Sequence, residues 1–391
     1  MKSNISINRN IKLLSLGFLL IFLGFNGVQQ YVTLYFSDLG LAEVGFQSLI
    51  LIYLFFTLFD PLSAVFVSKH GAKRGMIVAS VFYSAFILAL LSGSTILIYL
   101  GSSLLGIAAS LLWTGQNSYL IRASDKRSYG ASSGLFNSFQ SLGSTIGVFI
   151  LGFLISIYLF KIPFLVFAVF PLLGAILLFG LKDFRAEQKV NHFRLIRKSI
   201  TSKTALRLSS VWFAVNFVFG LVIGIIPLQI KGVLGLYYVG ILSSLFYILP
   251  ILLSYFFGKL SDEKGRKKMI VISYLLLTAG LISLSLSSQA LFLVLGILLL
   301  ALNWAIIKPI TMALVGDVAT KTNLEFLTAL FWMVQNIGVV SALILSQVFE
   351  LEVTTLYLVS AFVVILSFVI LLPLIRMDTE RLRDKISKEV R

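Results

Sequence analysis

Leu260-Ser261-Asp262-Glu263-Lys264-Gly265-Arg266-Lys267-Lys268 repeats, as a pattern, Phe66-Val67-Ser68-Lys69-His70-Gly71-Ala72-Lys73-Arg74. Both stretches are short basic loops between long apolar runs. Gly71 and Gly265 lie 194 positions apart in a chain of 391. A repeat at that distance divides the chain into two similar halves, and duplicated helical halves are a recurring architecture in membranes.

The composition places those halves in a bilayer. The chain is 58% hydrophobic and 12% charged, with a mean hydropathy of +0.99, more apolar surface than a water-soluble fold can hide. Runs of about 20 apolar residues recur, each long enough to cross a hydrocarbon core of roughly 30 Å. They lack strict alternation and are too long for tilted barrel strands, so the expectation is an all-α membrane protein. We place spans at 13–36, 44–67, 75–92, 95–121, 130–156, 163–181, 208–230, 236–257, 269–287, 291–316, 324–349 and 354–375, the first uncleaved. Ser92-Gly93-Ser94, Ser124-Asp125-Lys126 and Ser287-Ser288-Gln289 punctuate them. The boundary near 160 rests on Lys161 and Pro163 alone.

Charge gives the orientation. Of 32 Lys and Arg, 29 fall on one side of this topology; Lys161 and Lys231 fall on the other, and Lys308 lies within a span. Such a bias puts both termini in the cytoplasm, and explains the net charge of +16 without a nucleic-acid partner. The expected organisation is a six-helix bundle over 1–181, a linker over 182–207, a second bundle over 208–375 and a cytoplasmic tail over 376–391. The linker is basic and amphipathic (Phe184, Phe193, Leu195, Ile196), so part of it is expected as a helix on anionic headgroups, or else as a solvated tether. Without cysteine there is no disulfide, thiol nucleophile or Cys-ligated zinc. The two histidines, His70 and His192, sit in loops, which leaves no multi-histidine metal site in the membrane. No cofactor is expected.

The duplication extends beyond the loops. At an offset of 195, Gly40 meets Gly235, Leu41 meets Leu236, Val44 meets Val239, Gly45 meets Gly240, Gln140 meets Gln335 and Gly143 meets Gly338. Six spans per half with both termini on one side make the halves parallel repeats about an axis along the membrane normal.

With these features the chain resembles the major facilitator superfamily. The most specific piece is Gly258 to Lys268, similar to that family's loop signature of a Gly, an Asp-Arg four residues on, then a Gly with a basic cluster. The first-half copy is eroded to Ala64, Ser68, Lys69, Gly71, Lys73 and Arg74, with serine at 68 in place of the acid. The resemblance implies twelve helices in two six-helix bundles, a central cavity and alternating access. In physical terms, Gly258 admits a close helix and Gly265 a tight reversal. Asp262 can accept from Arg266 or from the N-terminus of span 11 across the bundle interface. Such a clasp would hold the cytoplasmic side shut, with Glu325 and Asp317 as further members; the alternative is a solvated stop signal. Other family patterns are weak. Ser102 precedes Gly106 where proton-driven members carry an Arg. Gly143, Gly147 and Gly152 keep the glycines of drug–proton antiporters without their proline, which packing between the halves would equally explain. Asp60-Pro61 with Ala64 and Ser68 is similar, locally, to a stretch of cation-coupled sugar symporters.

Ionisable groups inside spans are expensive and face cavities or partners. Asp60 is expected to be a proton or sodium coupling site, and Lys308 a solute counter-ion or proton partner. Burial penalises a charged carboxylate and a neighbouring ammonium favours it, a competition suited to coupling. The alternative is a structural ion pair. Pro61 and Pro309 each free a carbonyl one turn earlier. Amides and indoles at helical spacing form inward faces: Asn26, Gln29, Gln30 and Thr33; Trp113, Gln116 and Asn117; Asn137, Gln140, Ser141 and Ser144; Asn303 and Trp304; Trp332, Gln335 and Asn336. Each either touches solute or bonds helix to helix. Glu43, Glu350 and Glu352 are read as external loop residues.

These readings favour a monomeric secondary transporter of a small solute, with a proton or sodium ion and lipid as its other partners. Thirty-four Phe and 14 Tyr suit a permissive apolar cavity, so efflux of amphipathic compounds leads over uptake of a sugar or organic anion. A non-transporting sensor on the same fold is a further alternative. No phosphate-cradling Gly-x-x-x-x-Gly-Lys-Ser/Thr occurs, against ATP drive, and no catalytic constellation lies in the spans.

Overall fold

The computed structural model describes residues 8–184, 192–348 and 351–390. In hydrocarbon every backbone donor and acceptor must be bonded within its own segment, so apolar runs of this length become helices. The described residues form seventeen α-helices: α1 (Arg9–Asp38), α2 (Ala42–His70), α3 (Ala72–Leu90), α4 (Thr95–Ala123), α5 (Tyr129–Tyr158), α6 (Lys161–Phe167), α7 (Val169–Leu178), α8 (His192–Thr201), α9 (Lys203–Leu208), α10 (Ser210–Gly224), α11 (Ile226–Leu234), α12 (Leu236–Lys264), α13 (Arg266–Ser285), α14 (Ala290–Val318), α15 (Leu324–Val348), α16 (Val353–Ile375) and α17 (Thr379–Val390). Among them are twelve crossings long and apolar enough to span a bilayer. The molecule is a multi-pass all-α membrane protein.

Two crossings are segmented, and proline accounts for one break in each. The sixth begins at Lys161 and breaks at Ala168 into α6 and α7. Pro171 has no N–H to give to the Phe167 carbonyl, so the first piece stops there. The seventh starts earlier, at Lys203, and is segmented at Ser209 and Ile225. Pro227 sits in the first turn of α11, a position it favours and one that ends the preceding helix.

The packing is duplicated as the sequence is. α1 packs on α5 as α10 packs on α15; α2 and α3 on α4 as α12 and α13 on α14; α1 and α3 on α7 as α10 and α13 on α16. The bundles meet along two equivalent seams, α5 with α12 and α2 with α15. The helix junctions match in backbone too: Gly71 has φ 91° and ψ 149°, and Gly265 has φ 92° and ψ 144°. That left-handed region strains any other residue. Large apolar side chains such as Leu275, Phe153 and Phe362, about two-thirds exposed, cover the outside and meet lipid.

The first and last described residues, Asn8 and Val390, and most of the described basic loops lie on one side, the basic face. Residues 185–191, Glu350 and the first seven residues lie outside the described segments. The remainder of the linker does not behave as an isolated surface helix. Leu195 and Ile196 of α8 pack on Ala64 of α2 and on Phe326 and Ala329 of α15, sealing one seam, while Phe193 is exposed. Apolar surface where two helices meet is a better partner for them than a headgroup layer.

The tail is also docked. α17 buries Leu382, Ile386 and Val390 and packs on α8, α9 and α14. Its Glu389 carboxylate accepts from Ser202 Oγ at 2.6 Å, Thr204 N–H at 3.0 Å and Thr204 Oγ1 at 2.5 Å, at the start of α9. Partial burial works against this charge, but the hydrogen bonds and Lys385 outweigh it and hold the carboxyl below the ordinary glutamate value. A depressed value makes the docking contribution complete at neutral pH and lost as pH falls through the docked value, below about 4.3. Glu389→Gln should therefore speed amide exchange in α17 several-fold at pH 7, and narrow the gap between pH 7 and pH 4. Unchanged exchange at both would remove Glu389 from the docking.

Candidate functional site

A cavity of about 90 Å³ lies between the bundles, lined from both. The first bundle contributes Asn26, Gln29, Tyr53, Trp113 and Gln140; the second contributes Asn216, Tyr247, Trp304, Lys308, Trp332 and Gln335. Phe22, Phe25, Phe56 and Phe219 fill the intervals. The Lys308 ammonium lies 4.3 Å from the Trp304 ring centroid and 5.5 Å from that of Trp332. Trp332 rests on Trp113 at 5.1 Å, and Trp304 is stacked on Phe219 at 4.7 Å. Cation–π attraction of this kind is worth about 0.5–2 kcal/mol.

On the basic side the seams are shut. Gly130 and Gly134 of α5 face Ser254 and Gly258 of α12, and a Cβ added to Gly134 would lie 2.7 Å from the Tyr255 Cα. Small residues let the backbones touch. Ser128, the N-cap of α5, makes no capping bond. Asp262 of the opposite bundle does so instead, its Oδ1 accepting from Gly130 N–H and its Oδ2 from Ala131 N–H, both at 2.9 Å. These are the second and third amides of the helix, the pair a cap serves. Arg266 holds Asp262 at 2.6 Å and Asp317 at 2.8 Å. At the other seam, Arg122 at the end of α4 pairs with Glu325 at the start of α15 at 2.6 Å. Of the two partners expected for Asp262, Arg266 is present, and the helix start it accepts from across the bundle interface is that of span 5 and not span 11. α12 lies against α5, whose first turn lacks its own cap, whereas α15 begins with a carboxylate of its own.

Above that gate a polar chain crosses the bundles. Asn137 Nδ2 donates to Ser254 Oγ at 2.7 Å, which donates to the Ala305 carbonyl at 3.2 Å. Pro309 removes that carbonyl's usual helical donor. Ser254 precedes the end of α12 by as many residues as Asp60 precedes the end of α2, so the two are equivalent positions. Asp60 is fully buried. Its Oδ2 accepts from Asn336 Nδ2 of α15 at 3.4 Å, and its Oδ1 has no hydrogen-bond partner. No ion pair joins Asp60 to Lys308 among the described residues. The adjacency on which their expected competition depended is absent, because Lys308 is turned to the indoles and Asp60 to the seam.

The remaining expected residues sort by depth. Asn26, Trp113, Gln140, Lys308 and Gln335 line the cavity. Gln30 does not; its neighbour Gln29 does, one helical step around α1. Asn303 bonds the Ser273 carbonyl and Oγ at 2.7 Å and joins helices within one bundle. Asn137 and Asn336 join the bundles. Gln116 and Asn117 lie along α4 between Trp113 of the cavity and Arg122 of a vestibule of about 580 Å³ on the basic face. Their side-chain polar atoms, with those of Thr114, Ser118 and Ser133, are buried without partners. Gly143 and Gly147 pack on Leu19 and Leu23 of α1, within one half and not between halves; among the described residues the glycines that meet the opposite bundle include Gly130, Gly134, Gly258 and Gly316. Arg122, Tyr53, Tyr247 and Asn216 were missed. Arg122 is indistinguishable in sequence from a loop cation, and the tyrosines from lipid-facing aromatics.

Two bundles around a cavity, gated at paired seams, define a membrane transporter class. The Major Facilitator Superfamily model matches residues 14–237 and 208–390, and the chain belongs to that family. It is 33% identical over 141 residues to UNC93-like protein 3 of Arabidopsis thaliana, covering 36% of this chain and 28% of that one. The chain thus spans less than a third of that relative's length. It is 28% identical over 292 residues to the uncharacterized MFS-type transporter MJ1560 of Methanocaldococcus jannaschii, covering 69% and 72%. The structure of the proton:xylose symporter XylE bound to 6-bromo-6-deoxy-D-glucose superimposes with a TM-score of 0.75 at 11% identity, over 93% of this chain and 95% of that one. This last likeness concerns fold alone. Membership supports secondary transport of a small-molecule solute.

Two substitutions test the gate. Gly134→Leu should hold the α5–α12 seam apart, because the obstructing atoms are backbone. Asp262→Asn should remove about 2 kcal/mol of charge-assisted bonding, shifting the closed-to-open ratio of the basic face by a factor of roughly 30. Thiol-reagent access to Asn137→Cys from that face reads both; unchanged access in both variants would remove these contacts from the gate.

Proposed function

We propose that this protein is a secondary transporter that moves a small amphipathic solute by alternating access. The basic face lies in the cytoplasm, and the conformation described is the one with that face shut. The observation that carries the reading is a cavity lined from both bundles with the seams beneath it shut by contacts between bundles, Asp262 on Gly130 and Ala131 and Arg122 on Glu325. Hydrogen bonds and ion pairs of this kind can break and re-form as the bundles rock, which opens the cavity to one side at a time.

Asp60 is the coupling residue in this reading. It lies on α2 at the seam, with one carboxylate oxygen free to take a proton or a sodium ion and the other bonded to the opposite bundle. Occupation of Oδ1 would change the strength of the Asn336 bond, linking the ion to the seam. Export of the solute remains the direction we favour, from the aromatic lining of the cavity between the bundles.

The chain contains no cysteine, so paired labels can be introduced without background. Labels at Lys126→Cys and Lys321→Cys report the basic face; labels at Leu39→Cys and Lys231→Cys report the other. Alternating access requires the two distances to change in opposite senses when pH or solute is varied. Distances that change together, or not at all, would end this reading. In proteoliposomes, Asp60→Asn should keep solute exchange while abolishing ion-driven accumulation. Accumulation at the wild-type level would free Asp60 of coupling.

A further inference from the structure

We propose that the cavity between the bundles is an anion site: the solute carries a carboxylate or comparable single negative group on an apolar, aromatic-sized body, and that group seats against Lys308. The inference rests on the transporter reading only in taking this cavity as the solute's place.

Lys308 is the one charged side chain in the cavity lining. The groups nearest its ammonium are indole faces, which attract a cation but leave its charge uncompensated. Among the described residues no carboxylate lies within ion-pair distance, Asp60 being bonded to Asn336 instead. A charge taken out of water is costly unless a counter-charge meets it. The two cations held at the seams are paired: Arg122 has Glu325, and Arg266 has both Asp262 and Asp317. Lys308 is turned to the cavity instead, so the partner that would meet it is one that arrives. The same charge disfavours cationic amphiphiles, which would meet Lys308 without a neutralising acid.

The surroundings suit the rest of such a solute. Gln140 and Gln335 offer amide donors around the cavity, where Asn26 is held by its bond to Ser144 Oγ at 2.8 Å, while Phe22, Phe25 and Phe56 line it with apolar surface. Trp304 and Trp332 do two things at once. They hold the ammonium in place before the solute comes, and present flat faces to an aromatic ring afterwards.

The chain provides its own reporter. Of four tryptophans, Trp113, Trp304 and Trp332 line the cavity, and Trp212 is stacked on Phe331 outside it. In the full-length protein carrying Trp212→Phe, benzoate should quench the fluorescence saturably. Benzamide, its uncharged isostere, and benzylamine, its cationic counterpart, should bind at least tenfold more weakly. Lys308→Gln should weaken benzoate at least tenfold and abolish its advantage over benzamide; Lys308→Arg should restore it. The wild-type comparison of the three probes needs no folded variant. Equal affinity for benzoate and benzamide, or a preference for benzylamine, overturns the proposal, as does undiminished benzoate binding in Lys308→Gln. Selective benzoate binding with no flux in proteoliposomes would sink the transporter reading and leave this one standing. Flux of a solute against which benzoate and benzamide compete equally would do the reverse.

Discussion

The structure depends on one bond set: a carboxylate of the second bundle caps a helix of the first. α5 begins without a capping side chain, and Asp262 supplies it from α12 through two amide bonds. Helix termini leave donors unsatisfied wherever no cap is present. Opening this seam therefore uncaps α5, and water must take over. The cap is held by Arg266, which also holds Asp317 at the end of α14, so one movement of α12 disturbs three helices. The tight approach of Gly130 and Gly134 to Ser254 and Gly258 makes the arrangement all-or-none. Backbones in contact cannot part by a few tenths of an ångström and retain the bonds.

Against this gain stands a cost in the same bundles. Gln116, Asn117, Thr114, Ser118 and Ser133 have buried polar atoms without partners, each unfavourable unless water reaches it. A gate held only by favourable contacts would stay shut. One in which clasp bonds and desolvated amides roughly cancel lies within reach of a solute or an ion, whose differential binding need then supply only a few kcal/mol.

The fold was legible because it is written twice. Loops at 71 and 265, apolar runs of span length and a lopsided distribution of lysine and arginine fix the helices, their number and their pairing. The gate was half legible. Asp262 stands in a recognisable loop, but its partner is a pair of main-chain amides, which no side-chain pattern announces. Nor does sequence separate Asn303, which bonds Ser273 within a bundle, from Gln335, which faces the cavity. Both are amides on helical faces, and the difference is a rotation about the helix axis. Gln29 and Gln30 show the limit most plainly: adjacent identical residues, only one of them turned to the cavity.

The two halves differ where chemistry requires it. Ser254 and Asp60 occupy equivalent places on α12 and α2, each bonded to an asparagine of the opposite bundle. Only the first half carries the acid. Trp113 and Lys308 are likewise equivalent under the 195-residue offset, and only the second half carries the cation. Duplication supplies two copies of a gate, and rocking needs both. Charge is placed in one copy of each, on different helices, one at a seam and one at the cavity. Had Asp60 and Lys308 been directed at each other, they would neutralise one another and respond weakly to anything that arrives. Kept apart, each retains an unmet electrostatic demand, the carboxylate for a proton or cation and the ammonium for an anion. A seam shared by α2 and α15 connects them, because Asn336, which holds Asp60, lies one turn from Trp332, which faces Lys308. In the coupled transport proposed above, ion and solute would thus act on the same helix from two positions.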